Sequence, residues 1–124
     1  MICLDTNYLI MGLVAGSVEA ERLLAWADRG ETFCVSSIVW YEFLCGPVSS
    51  RQVEVMRSLV VEIVAFDDGM ATEAARLFNL TGRRRPLRVD AMIAAAAVSK
   101  GIPFATRNVG DFSTFAVHGL RVFE

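Results

Sequence analysis

Short apolar segments suited to β-strands alternate with helical segments along this 124-residue chain, and this alternation limits the possible fold more than any other feature. Such a pattern is typical of a parallel sheet covered on both faces. The sequence predicts a single α/β domain over residues 1–124, with a central, mostly parallel sheet of about five strands. The predicted strands are Met1 to Leu4, Thr32 to Val35, Val60 to Phe66, Ile102 to Ala105 and Leu120 to Phe123.

Residues that favour helix ends separate these strands. Ser and Asp side chains cap the first turn of a helix, and Gly accepts the left-handed backbone that often ends one. The clearest helix is the Ala-rich segment from Val89 to Lys100, which Gly101 closes. Another helix is predicted from Asn7 to Val14. The remaining predicted starts are Ser17, Ser36 or Ser37, Ser49 or Ser50, and Asp67 with Asp68.

Composition allows a globular core and argues against a membrane protein. Hydrophobic residues make up 54% of the chain and charged residues 21%. The longest apolar run, Ala91 to Val98, is far shorter than the roughly 18 residues that span a bilayer. No basic segment precedes the apolar N-terminus, as one would in a signal peptide. We therefore expect a soluble, cytoplasmic protein with no membrane partner.

The three cysteines are Cys3, Cys34 and Cys45. Their number is odd, and their spacing fits no zinc motif. Each has apolar neighbours in the sequence, so all three are predicted to be buried free thiols. The only histidine, His118, is predicted to be exposed or packed rather than catalytic.

The distribution of charge is uneven. The net charge is −2, which does not by itself favour nucleic acid as a partner. However, four arginines fall in one segment, at positions 83, 84, 85 and 88. An acidic body with one basic segment suits a nuclease, and it equally suits a protein with a solvated basic loop.

Several polar residues are predicted at the carboxyl ends of the strands, where ligands bind in open parallel sheets. Asp5 follows the first strand, Asp90 begins the Ala-rich helix, and Asp111 follows the fourth strand. Each also has a structural interpretation, as a turn residue, a helix cap or a solvated loop residue.

Glu42 is harder to explain structurally. Its neighbours on the same helix face carry no charge, and the face below Asp90 is also apolar. A buried carboxylate without a partner costs several kcal/mol. Arg88 and Arg107 are possible partners, and the other candidate is a bound cation. The uncharged neighbours are Ile38, Val39, Cys45 and Gly46 for Glu42, and Ile93, Ala94 and Ala97 for Asp90.

Carboxylate oxygens from these four residues suit Mg²⁺ or Mn²⁺ rather than zinc, because no His or Cys is among the candidates. Four carboxylates would balance the charge of two divalent ions. Such ions commonly activate water and stabilise the leaving oxygen when a phosphodiester is hydrolysed.

Four segments resemble the PIN-domain ribonucleases, and most closely the VapC type of toxin. The segments are LDTN at 4–7, WYEFLCG at 40–46, DAMIAAAAVSKG at 90–101 and TRNVGDF at 106–112. The resemblance implies a three-layer α/β/α sandwich and a metal-dependent endonuclease acting on single-stranded RNA. It also implies a type II toxin–antitoxin system, with a cognate antitoxin as partner. A homodimer is a further expectation.

The resemblance also assigns roles to residues. Asp5, Glu42, Asp90 and Asp111 match the catalytic acids. Asp5 and Asp90 would hold the main Mg²⁺ or Mn²⁺ ion. Glu42 and Asp111 would complete the site, either through a second ion or by orienting water. The predicted metal ligands are Asp5, Asp90 and Asp111. Supporting polar roles fall to Asn7, Thr106 and Asn108. Candidate RNA-phosphate contacts are Arg83, Arg84, Arg85, Arg88 and Arg107.

Two other functions remain open at this point. An aspartyl phosphotransferase also places a nucleophilic Asp after its first strand. It needs a second Asp two residues later, where this chain has Asn7, and a Lys near the phosphate, whereas the only Lys is Lys100. A catalytically inactive PIN-like binding module is the other alternative, and metal-dependent cleavage of RNA would exclude it.

Overall fold

The computed structural model describes residues 1–123 and contains a four-stranded parallel sheet in the order β3-β2-β1-β4. The strands are β1 (Ile2–Leu4), β2 (Phe33–Ser36), β3 (Val60–Val64) and β4 (Phe104–Ala105). The fifth predicted strand is reduced to a single parallel bridge between Val122 and Phe104. The prediction of an α/β fold with a central parallel sheet is confirmed.

Within residues 1–123, seven α-helices flank the sheet. They are α1 (Thr6–Met11), α2 (Val18–Asp28), α3 (Ser37–Cys45), α4 (Ser50–Leu59), α5 (Asp68–Leu80), α6 (Arg88–Lys100) and α7 (Val109–Phe112). Short 3-10 helices cover Arg85–Leu87 and Ser113–His118. Every residue of β1, β2 and β4 is buried, as expected for strands covered on both faces.

Side-chain caps set most helix starts at the predicted residues. The hydroxyls of Ser17 and Ser36 accept hydrogen bonds from backbone N–H groups three residues later, and the Asp67 carboxylate does the same. Ser49 forms a reciprocal capping box with Gln52. Gly101 ends α6 with a φ of 65°, a left-handed conformation that glycine adopts without a steric cost.

Some predicted boundaries were wrong. Asp90 is not the cap of α6, because the helix begins at Arg88 and Asp90 lies in its first turn. The helix after β1 ends at Met11 rather than Val14. Strands β3 and β4 are also shorter than predicted, ending at Val64 and beginning at Phe104. Boundaries depend on tertiary hydrogen bonds that local patterns do not contain.

The prediction of three buried thiols holds for two of them. Cys3 and Cys34 are fully buried and pair in register on β1 and β2. Cys45 is exposed, because it is the last residue of α3 and lies on the side of that helix away from the core. Within residues 1–123, no helix is long and apolar enough to cross a membrane.

Candidate functional site

Asp5 occupies the centre of the carboxyl edge of the sheet. It directly follows β1, which lies between β2 and β4, so three strands end around it. Its backbone N–H donates to the carbonyl of Ala105 on β4 (2.9 Å). One carboxylate oxygen accepts from the N–H of Thr6 (2.8 Å) and the other from the hydroxyl of Thr106 (2.6 Å). Each oxygen keeps further lone pairs with which to bind a cation.

Glu42 reaches the same edge from α3, the helix that follows β2. Its side chain is half-buried, and its Oε1 accepts a hydrogen bond from the Thr6 hydroxyl (2.6 Å). Thr6 therefore links Asp5 to Glu42, through its backbone N–H on one side and its hydroxyl on the other. Sequence reasoning missed this role of Thr6, and the only available signal was its place directly after Asp5.

Asp111 joins the site through the loop after β4. The hydroxyl of Thr106 donates to Asp5 and accepts from the backbone N–H of Asn108 (2.9 Å). The side-chain amide of Asn108 donates to Asp111 Oδ2 (3.1 Å). The structure thus places the predicted supporting residues Thr106 and Asn108 in one chain of hydrogen bonds from Asp5 to Asp111.

Asp90 projects from the first turn of α6 and is half-buried. Its pKa is raised from 3.8 to about 6, chiefly by burial and then by the negative charges of Asp5, Asp111 and Glu42. Charges act on a pKa in this way only over short distances. This electrostatic influence and the hydrogen bonds through Thr6, Thr106 and Asn108 together place the four acids in one group, which we call the acid cluster.

The pKa of Asp5 is also raised, for partly opposing reasons. Burial has the largest effect, because it disfavours the charged carboxylate, and the charge of Glu42 adds to it. The hydrogen bonds from Thr106 and from the Thr6 N–H act in the other direction, since they stabilise the charged form. These donors help to keep Asp5 available as an anion.

The donor chemistry of the acid cluster fits a hard divalent cation, because it offers carboxylate oxygens without sulfur or imidazole. No set of three His, Cys, Asp or Glu side chains among residues 1–123 is arranged to hold an ion by itself. Mg²⁺ is commonly held by one or two carboxylates and keeps several waters. The donor set of the acid cluster fits that mode of binding.

The other predicted site residues lie outside these contacts. Asn7 is exposed on α1 and donates no hydrogen bond to the acid cluster in the described part of the chain. Arg88 lies over the ring of Phe78, with 5.9 Å between the guanidinium carbon and the ring centroid. Arg107 forms an ion pair with Glu19, at 3.6 Å between Nε and Oε1. Both arginines therefore have partners other than the four acids.

The remaining arginines of the basic segment are exposed at positions 83, 84 and 85. Arg83 adopts a φ of 56°, which is unusual for a residue with a side chain, and its N–H donates to the carbonyl of Phe78. The segment is not entirely a loop, because Arg85 begins a 3-10 helix that leads into α6. It therefore precedes Asp90 directly along the chain.

Replacing Thr106 by Val is expected to weaken binding of Mn²⁺ by about tenfold to a hundredfold, because outer partners of metal ligands have effects of this size. The change removes a hydrogen bond that lowers the pKa of Asp5, so that pKa should rise. Titration calorimetry measures the affinity. Thr72→Val is the matched control, since the Thr72 hydroxyl only contacts the backbone of α5. Equal affinities in both variants would contradict this role.

Comparisons with known proteins agree with this fold. The PIN domain family model matches residues 2–117, whereas no curated protein matches the chain. The structure of FitAcB from Neisseria gonorrhoeae is 26% identical, with 100% of this chain and 97% of that chain covered and a TM-score of 0.70.

Two further solved structures have the same fold. One is a toxin–antitoxin complex from Klebsiella pneumoniae, which is 27% identical, with 91% of each chain covered and a TM-score of 0.70. The other is VapBC2 from Rickettsia felis bound to a promoter DNA fragment, which is 18% identical, with 99% of this chain and 98% of that chain covered and a TM-score of 0.74. Since the family model spans nearly the whole chain, this protein belongs to the PIN domain family.

Proposed function

We propose that the protein is a metal-dependent endonuclease for single-stranded RNA and the toxin of a type II toxin–antitoxin pair. The observation that carries this proposal is the acid cluster, in which burial and then the charges of three neighbouring carboxylates raise the pKa of Asp90 to about 6. Such mutual repulsion is typical of functional sites. A divalent cation would relieve it and would supply the chemistry of phosphodiester hydrolysis.

The contacts that the positively charged side chains make favour a bound metal over an internal salt bridge as the partner of the acids. Arg88 and Arg107 were the two candidate partners, and they contact Phe78 and Glu19 instead. The only Lys, Lys100, pairs with Glu62 (3.0 Å) near the C-terminal end of α6, whereas Asp90 lies at its N-terminal end. A carboxylate cluster at a sheet edge is better explained by a ligand than by folding stability.

Each acid has a distinct task in this proposal. Asp5 and Asp90 would hold the ion, and the N–H of Thr6 and the hydroxyl of Thr106 orient the Asp5 oxygens. Glu42, fixed by the Thr6 hydroxyl, and Asp111, fixed by Asn108, would orient the attacking water and complete a second site. When bound, the divalent ion would lower the pKa of that water and neutralise charge on the phosphate.

The basic segment supports RNA as the substrate. It leads into α6 and ends at Arg88, the first residue of that helix, so its exposed arginines reach solvent beside the helix that carries Asp90. Positive side chains at such a position contact phosphates and hold a strand in register without reading its bases. A single strand can bend so that one phosphate enters the acid cluster while its neighbours meet the arginines.

Replacing Arg84 and Arg85 by Gln is expected to weaken RNA binding and to reduce the slope of log affinity against log salt by about 1.4, since each phosphate contact on a single strand contributes about 0.7. Filter binding over a range of salt concentrations measures this slope. The control is Arg29→Gln with Arg51→Gln, which changes the net charge equally at two other exposed positions. An unchanged slope in the Arg84 and Arg85 variant would reject the segment as an RNA contact.

The alternative functions have less support. An aspartyl phosphotransferase needs Lys near the nucleophile, and Lys100 pairs with Glu62 near the far end of α6. An inactive binding module has no need for four carboxylates that destabilise one another. The test is cleavage of single-stranded RNA with Mg²⁺ or Mn²⁺ and its loss with a chelator. Products with 5′-phosphate and 3′-hydroxyl ends support the proposal, and no cleavage with either ion contradicts it.

We also propose a cognate antitoxin and a homodimer as partners. Solved neighbours are toxin–antitoxin complexes, and this chain leaves apolar side chains exposed on the helices after β1 and β2. These include Ile10 and Met11 on α1, and Tyr41 and Leu44 on α3. Co-expression with the product of the adjacent gene should yield a stable complex. Recovery of free monomer throughout would contradict both partners.

A further inference from the structure

We propose that Glu19 and Arg107 form a positioning ion pair that holds the loop after β4 against the acid cluster. This inference rests on the proposed metal-dependent function and extends it to a residue outside the four acids. Glu19 lies in the first turn of α2, on a different element from every member of the cluster. It is a positioning residue, because it acts through its ion-pair partner Arg107.

Burial makes the pair informative. The side chain of Glu19 is only 10% exposed, whereas the Arg107 side chain is 39% exposed. A buried carboxylate requires a compensating charge or dipole, and Glu19 has both, since the N-terminus of α2 also favours an anion. Arg107 Nε lies 3.6 Å from Glu19 Oε1, which is an ion pair without a close hydrogen bond.

The position of Arg107 in the chain connects this pair to the site. Arg107 lies between Thr106, whose hydroxyl donates to Asp5, and Asn108, whose amide donates to Asp111. A tether at the middle residue restrains both neighbours together. The restraint keeps the Thr106 hydroxyl aligned with Asp5 and the Asn108 side-chain amide aligned with Asp111.

The geometry favours a charge tether over a guanidinium-specific role for Arg107. A phosphate or carboxylate clamp would use two parallel N–H groups, and here a single Nε faces one oxygen at 3.6 Å. A lysine ammonium can supply the same charge on a side chain of similar length. Lysine should therefore replace Arg107 in the tether, whereas it would replace a bidentate phosphate clamp poorly.

The first test measures Mn²⁺ affinity by titration calorimetry in the full chain. Glu19→Gln and Arg107→Gln are each expected to weaken binding by about threefold to tenfold, which is less than the roughly tenfold to hundredfold effect of a direct partner of a metal ligand, because the pair acts through the neighbouring loop residues. The double variant should be no weaker than either single variant, and Arg107→Lys should bind as the unchanged protein does. Glu62→Gln is the matched control. It breaks the ion pair between Glu62 on β3 and Lys100, which lies at the other end of α6 from Asp90.

Hydrogen exchange at the backbone N–H of Asn108 provides a second readout that needs no metal. This N–H donates to Thr106 Oγ1, so loss of the tether should speed its exchange in Glu19→Gln and Arg107→Gln and leave it unchanged in Arg107→Lys. Because the Arg107 side chain is more exposed than that of Glu19, its variants should fold even if Glu19→Gln does not, and they suffice for the test.

The outcomes separate this inference from the proposed function. If the unchanged protein binds no Mn²⁺, the metal-dependent function fails, and faster exchange of the Asn108 amide in the variants would still support the tether. Unchanged exchange and unchanged affinity in Arg107→Gln would overturn it. Loss of affinity in Arg107→Lys equal to that in Arg107→Gln would also overturn it, because it would show a guanidinium-specific contact.

Discussion

Replacing Asp90 by Asn is expected to lower the rate of RNA cleavage by about a hundredfold to a thousandfold while leaving the protein folded. The variant removes one of the two proposed metal ligands and also removes the negative charge that interacts with the charges of Asp5, Asp111 and Glu42. Asp5→Asn should have a comparable effect. Asn remains a good helix cap, so α1 should still begin at Thr6.

The control for this experiment is Asp68→Asn. Asp68 also lies in the first turn of a helix, α5, but it is exposed and its carboxylate only accepts from the adjacent Gly69 N–H. Its activity should match that of the unchanged protein. Circular dichroism of all three variants shows whether folding is retained. Full RNA cleavage by both Asp5→Asn and Asp90→Asn would show that the acid cluster takes no part in the reaction.

Without divalent metal, the melting temperature is expected to fall as pH rises from about 4 to about 7. The folded-state pKa of Asp90 is about 6, above its ordinary value of 3.8. The folded state therefore binds more protons than the unfolded state between these values, and folding loses stability as Asp90 ionises. The same trend follows from the raised pKa of Asp5. Asp90→Asn should show a weaker pH dependence than Asp68→Asn.

Added metal should reverse this trend. At one hundred times the dissociation constant, Mn²⁺ should stabilise the folded protein by about 2.7 kcal/mol, a rise of several degrees for a domain of this size. The rise should be largest above pH 7 and shrink near pH 5, where protons compete with the cation for Asp90, because the pKa of that carboxyl is about 6 without metal. Thermal unfolding by differential scanning fluorimetry measures both series. A metal-induced rise equal in the protein and in Asp90→Asn would place the ion elsewhere.

The sequence predicts an acid cluster because of where its members fall along the chain. Asp5 and Asp111 follow strands of the parallel sheet and Asp90 lies in the first turn of a helix, and topology brings such positions to one edge of the sheet. The structure confirms the parallel sheet that this argument requires. The uncharged helix face around Glu42 likewise predicted an acid that points toward other elements.

The contacts that orient the cluster were not predictable. The Thr6 bond to Glu42 joins residues that are 36 positions apart, and the Glu19–Arg107 pair joins α2 to the loop after β4. Both depend on how helices pack against the sheet, which local patterns do not encode. The exposure of Cys45 has the same origin, since an apolar neighbourhood in sequence does not say which side of a helix faces the core.

The central claim is that the acid cluster binds a divalent cation, and paramagnetic broadening by Mn²⁺ tests it most directly. Substoichiometric Mn²⁺ added to the ¹⁵N-labelled protein should broaden the amide signals of Asp5, Thr106, Asp90 and Asp111 first. Signals of Lys100 and Gly30, which lie at other parts of the fold, should remain sharp, and Asp90→Asn should lose the selective effect. Broadening centred elsewhere, or uniform broadening of the whole spectrum, would contradict a metal site at this edge of the sheet.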